Sequence, residues 1–302
     1  MMAWITDPWA PTFMQHAFMA ILLVGAICGV MGVFVILRGL AFLGDALAHA
    51  IFPGVVIAFI LGGNFLIWAL VAAVIVSFGI GVVGQSARLS NDTAIGVIFA
   101  GGFALGVALL SQQSGYARDL NAFLFGSILG VSSDDLRLTT IVGLVVLATI
   151  FALRREFTAI SFDRTFARSL GLNLWLMDQV FLVALALAIV ISLQTVGNVL
   201  VLAMLVTPAA TARLLTDRLH LMIGLSASIG MLCGVAGLYL SYYRGVPSGA
   251  AVVLVATAVF GTVFLFAPRS GLITSHVRQR LHHPHPETDH FPNDVTITDQ
   301  PM

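Results

Sequence analysis

Gly44-Asp45-Ala46-Leu47-Ala48-His49-Ala50-Ile51-Phe52-Pro53-Gly54 sets a carboxylate and an imidazole four residues apart in a chain otherwise poor in ionisable groups. On a helix that spacing stacks the two side chains on one face, about one turn apart. Pro53 predicts a kink just beyond the pair, and Gly54 permits close approach of a neighbour. Ionisable groups inside a bilayer are costly, so they usually face a cavity or a partner and mark an ion or substrate path. Carboxylate plus imidazole also suits divalent transition metals as a ligand set. A blander arrangement is open on spacing alone: Asp45 would N-cap a helix starting at Ala46, and His49 would hydrogen-bond a neighbouring helix.

The surroundings of this stretch decide the fold class. Of 302 residues, 59% are hydrophobic and only 9% charged, with mean hydropathy +1.02. A soluble domain carries about 25% charged residues, so almost the whole chain must be solvated by lipid. The expectation is an all-α polytopic membrane domain over residues 1–268. Nine long apolar segments are predicted, near 13–37, 39–62, 65–84, 94–112, 138–153, 176–193, 197–214, 221–241 and 249–267. If the second begins near Gly39, His49 lies about ten residues in, roughly 15 Å deep and near the bilayer midplane. A shorter apolar stretch, 120–131, reads as a re-entrant or interfacial piece. Glycines at 25/29/32, 79/81/84, 102/106 and 230/234/237 predict close helix packing.

All fourteen basic side chains are Arg, and formal net charge is zero. With no Lys there is no P-loop GxxxxGK[ST] and no Schiff-base lysine, and no basic stripe points to nucleic acid. With the N-terminus outside, eleven arginines fall on the cytoplasmic side, leaving only Arg118, Arg137 and Arg244 outside. Cys28 and Cys233 read as small buried hydrophobes and not as a disulfide framework. Residues 1–12 lack the basic n-region of a signal peptide, and Trp4 and Trp9 read as interfacial anchors; His16 and His220 read as interfacial too.

Three further regions carry polar residues. The stretch from Arg154 to Asn173 predicts a short amphipathic helix with Phe162, Phe166 and Leu170 at i, i+4 and i+8, ended by Gly171 in the manner of a C-cap. It suits either the membrane surface or a soluble partner. Gln194 and Asn198 precede Pro208 in one membrane helix and read as helix glue more than as substrate ligands. Residues 269–302 are polar, Pro-containing and His-rich, so a disordered cytoplasmic tail is expected; its histidines lean slightly toward zinc.

These residues resemble the membrane permease of ATP-binding-cassette importers for manganese, zinc and iron(II), over about residues 13–267. The motif from Gly39 to Ala50 followed by Pro53-Gly54 is that family's hallmark; Asn91 to Phe99 resembles its next polar turn, and Gly197 to Ala212 its Pro-containing helix. The resemblance implies a type II importer-like fold in a bacterial cytoplasmic (inner) membrane. It further implies a homodimer, or a heterodimer with a similar permease, and two separate ATPase subunits. These would dock on a coupling segment at about 154–173, with Phe162, Phe166, Ala167, Leu170 and Gly171. A periplasmic or lipid-anchored binding protein would deliver the metal. The metal site carries over onto Asp45 and His49; a dimer would bring four such ligands together, with the transported divalent ion as cargo and no tightly bound cofactor. Two other classes stand beside this reading. A gradient-driven secondary transporter could use the same pair for proton coupling. An intramembrane hydrolase is disfavoured, because HExxH and GxSxG are both missing.

Overall fold

Apolar runs of about twenty residues set helix length before any packing begins. The computed structural model describes residues 7–9, 11–84, 91–112 and 130–267, side chains of residues 91, 194, 195, 198 and 199 apart. After a single 3₁₀ turn, Asp7–Trp9, all regular elements among them are α-helices. They are α1 (Thr12–Leu37), α2 (Ala41–Ala50), α3 (Phe52–Leu61), α4 (Phe65–Val83), α5 (Asn91–Leu110) and α6 (Ser133–Ala152), followed by α7 (Arg154–Phe162), α8 (Arg164–Ser169), α9 (Leu174–Val196), α10 (Asn198–Leu215), α11 (Leu219–Arg244) and α12 (Ser248–Phe266). Among the described residues, eight helical spans are long and apolar enough to cross a membrane, α2 and α3 counting together; the shorter apolar stretch Leu200–Leu215 in α10 stands where the remaining segment was expected. Residues 120–129 of the stretch 120–131, the tail 269–302, Trp4 and the side chains of Gln194 and Asn198 lie outside the described residues.

Where boundaries differ from the sequence reading, caps account for it. α6 begins five residues earlier than the apolar run. There the Ser132 hydroxyl accepts from the Asp135 amide at 3.1 Å, and the Asp135 carboxylate accepts from the Ser132 amide at 3.1 Å. This reciprocal capping box draws Asp134 and Asp135 into the first turn. α2 begins at Ala41 with Leu40 as N-cap, so Asp45 stands in the second turn and caps nothing. The chain steps at Ile51, two residues before Pro53. Pro53 has no N–H for the carbonyl four residues back, which is that of His49, so the hydrogen-bond ladder is interrupted at this step.

The single amphipathic helix expected over 162–170 is instead two. Asp163 leaves the helix at φ −149°, and its carboxylate accepts from the Thr165 and Phe166 amides at 2.8 and 3.0 Å. A side chain so placed competes with the preceding helix and starts a new one.

α1 is the most enclosed of the spans, with α6, α10 and α11 packed around it. A Cβ on Gly25 would stand 2.9 Å from the Met231 amide nitrogen, and one on Gly230 would stand 2.8 Å from the Gly25 carbonyl, so α1 and α11 touch backbone to backbone. Near this seam the Ser226 hydroxyl donates to the Gly29 carbonyl at 2.7 Å. In membranes such close packing and interhelical bonds replace the hydrophobic effect as glue. Cys28 and Cys233 are buried free thiols. Trp9 stacks on Phe18 at 4.4 Å and donates its indole N–H to the Tyr239 hydroxyl at 2.8 Å, fastening the start of α1 to α11.

Candidate functional site

α2 buries Leu43, Ala46, Leu47 and Ala50, which fixes its rotation and leaves Asp45 and His49 together on the other side. Asp45 Oδ1 and His49 Nε2 stand 3.5 Å apart, with the carboxylate side chain 32% exposed and the imidazole 19%. The expected one-face stacking is therefore observed. The separation is long for a charge-assisted hydrogen bond, so the two groups are neighbours more than they are locked partners.

The wall opposite comes from α5. A Cβ on Gly102 would stand 3.0 Å from the Ala50 carbonyl oxygen, so the glycine lets the two helices meet there. That approach sets the rings of Phe99 and Phe103 at 5.6 and 5.3 Å from the imidazole, both edge-on. Phe42 adds an edge contact to Phe99 at 6.1 Å. The result is a carboxylate and an imidazole, both partly exposed, with two aromatic rings edging the imidazole. Low local polarity strengthens every electrostatic interaction made there. Among the described residues no group of three or more His, Cys, Asp and Glu gathers, so a divalent ion at this pair would meet two such donors among them. The sequence had no means of pairing Phe99 and Phe103 with His49, since the partners lie about fifty residues away.

At the arginine-rich end, α7 and α8 divide their side chains by burial. Phe157, Ile160 and Ala167 are buried. Phe162, Phe166 and Leu170 are exposed at 69%, 55% and 58%, an apolar ridge on the surface. Gly171 closes α8 with φ +78°, a conformation that favours glycine, and its amide donates to the Arg168 carbonyl at 3.0 Å.

A charged joint missed by the sequence reading ties this segment to the spans. Arg38, just past α1, donates through Nη1 to Asp178 Oδ1 at 3.1 Å, and Arg164 of α8 donates through Nη2 to Asp178 Oδ2 at 2.6 Å. Arg38 Nε also donates to the Ser161 hydroxyl at 3.3 Å. Its guanidinium lies over the Phe181 ring at 4.1 Å, a cation–π contact. Burial pushes the Arg38 guanidinium down to about 10, with Asp178 opposing the shift, so it is cationic at neutral pH. The signal was present: Asp178 is the one acidic residue in α9, and a lone acid in an apolar span calls for a partner.

Three comparisons bear on this arrangement. The profile of the ABC 3 transport family matches residues 10–267. The chain is 44% identical over 267 residues to the manganese transport system membrane protein MntC of Halalkalibacterium halodurans, covering 88% of this chain and 91% of that protein. It is 34% identical over 294 residues to the chelated iron transport system membrane protein YfeC of Yersinia pestis, covering 97% and 99%. Among solved structures it is similar to PsaBC from Streptococcus pneumoniae in complex with Fab, with TM-score 0.80 and 34% identity, covering 93% of this chain and 100% of that one.

Proposed function

The chain belongs to the ABC 3 transport family, and on that footing we propose that it is the membrane permease subunit of an ATP-driven importer for a divalent transition metal, manganese first and iron(II) second. The observation that carries this reading is the partly exposed Asp45–His49 pair on one face of α2, with the Phe99 and Phe103 rings edging the imidazole. The relatives named for manganese and chelated iron favour those metals over the zinc toward which the tail leans.

In this reading the Asp45 carboxylate supplies a hard oxygen and His49 a neutral nitrogen, a set that suits Mn²⁺ and Fe²⁺. A second permease copy, identical or similar, supplies the same pair across a two-fold axis, so that four protein ligands face one path. The proposal includes the bacterial cytoplasmic membrane, with the arginine-rich end inside as the positive-inside rule requires. A binding protein delivers the ion at the other end. ATP is hydrolysed by a separate subunit that docks on the α7–α8 segment, where Phe162, Phe166 and Leu170 present the contact surface and Ala167 and Gly171 set its shape.

The test is ⁵⁴Mn uptake by the assembled complex in proteoliposomes, with D45N and H49A each compared with wild type. Both variants should assemble and yet fail to accumulate metal. Undiminished uptake in both would remove the pair from the path. Uptake that persists without the ATPase subunits and collapses with an uncoupler would replace this reading with a gradient-driven carrier.

A further inference from the structure

A cavity of about 500 Å³ opens at the arginine-rich end, between the α1–α2 junction, α4, the α7–α8 segment and the first turns of α9. Its charged lining among the described residues is Arg38, Arg164, Arg168 and Asp178. Asp178 spends one oxygen on Arg38 and the other on Arg164. One carboxylate thus serves a wall that carries three guanidinium groups, an excess of positive charge beside an apolar interior.

Arg38 shows the want of an anion most directly. Its side chain is only 7% exposed. Nη1 and Nε are engaged by Asp178 and Ser161, while Nη2 is buried without a hydrogen-bond partner. The faces of Phe157 and Phe181 stabilise the charge, but a ring face is a poor substitute for an oxygen acceptor. Buried donors are ordinarily satisfied, and the guanidinium fork matches phosphate oxygens better than any other common anion except carboxylate. The remaining lining includes Ile80, Leu174 and Trp175. Hydrocarbon next to a cationic rim, at the depth where headgroups lie, is the environment of an amphiphile and not of a hydrated small ion.

We propose that this cavity holds the phosphate group of an anionic phospholipid, with Arg38, Arg164 and Arg168 as donors and Ile80 and Trp175 against its glycerol and first acyl carbons. The inference rests on the membrane orientation given above and is independent of which metal is carried. A headgroup there joins the end of α1, the α7–α8 segment and α9 through one anion.

The experiment compares the full-length permease, alone and with its ATPase subunits, in phosphatidylcholine nanodiscs with and without phosphatidylglycerol. Lipid retention is read by native mass spectrometry and stability by thermal unfolding. Each basic side chain near a headgroup favours anionic lipid by about 1 kcal/mol, so phosphatidylglycerol should be retained over phosphatidylcholine by at least about tenfold and should raise Tm. R168Q changes an exposed residue and should cut that preference about fivefold. R38Q should abolish it, and R168Q keeps the test valid if R38Q fails to fold. Equal retention of the two lipids, or a preference untouched by R168Q, would overturn the proposal. Excess inorganic phosphate that reproduces the Tm rise in phosphatidylcholine alone would assign the same donors to a free anion and overturn the lipid source. Retention by the isolated permease but not by the complex would overturn it in favour of a protein acid group from the partner.

Discussion

Two polar clusters draw on the junction of α1 and α2, Arg38 just before it and Asp45–His49 just after, and they are built in opposite ways. At Arg38–Asp178–Arg164 the donor–acceptor distances are 3.1 and 2.6 Å, both carboxylate oxygens are used, and the central cation is 7% exposed. At Asp45–His49 the separation is 3.5 Å and both side chains keep a share of open surface. Short bonds that use both carboxylate oxygens belong to a joint that must hold. The wider spacing and partial exposure at Asp45–His49 fit the proposed contact with a passing cation. Under that proposal, charge in a lipid-embedded chain divides by geometry into fastening and function, through distance and exposure.

Three measurements would break or sharpen this contrast. The largest effect is expected at the loose pair: D45N or H49A should lower ⁵⁴Mn uptake by about 100-fold or more, at the upper end of what single groups around metal sites contribute, with Tm unchanged. If Tm falls with uptake, the pair is a fastener after all. Next, D178N leaves the buried Arg38 cation facing a neutral amide and should destabilise the fold by about 3 kcal/mol, read as a lower unfolding midpoint in detergent. A neutral result there would mean that the joint is dispensable. The smallest effect is expected for R164Q. Its side chain is 55% exposed, so loss of its half of the joint should cost under about 1 kcal/mol.

The ridge on α7 and α8 offers a further check on the division. F162S with F166S removes apolar surface that is mostly exposed, so the isolated permease should keep most of its stability. ATP-dependent uptake should nonetheless fall, and pull-down of the ATPase subunit should weaken in proportion. Unchanged pull-down would move the docking surface elsewhere.

Much of this was legible in the sequence, and the reasons are physical. The apolar runs predicted the spans because lipid solvation demands length and hydrophobicity whatever the packing. The stacking of Asp45 and His49 was legible because helical periodicity is local. The glycines at 25, 102 and 230 announced close approach without saying to what. Contacts across long sequence separation were not legible: Phe99 and Phe103 against His49, and Arg38 against Asp178, 140 residues away. Nor was the break at Asp163. There a single carboxylate chooses between continuing one helix and opening another, and spacing of apolar residues at 162, 166 and 170 is blind to that choice.

The seam between α1 and α11 has a consequence for motion. Helices that meet through side chains can slide by exchanging rotamers, but where Gly25 faces Gly230 and Met231 main chain abuts main chain, with no soft layer to shear. These two helices must therefore travel as one plank, and any opening of the protein has to be found in the thinner partitions around it.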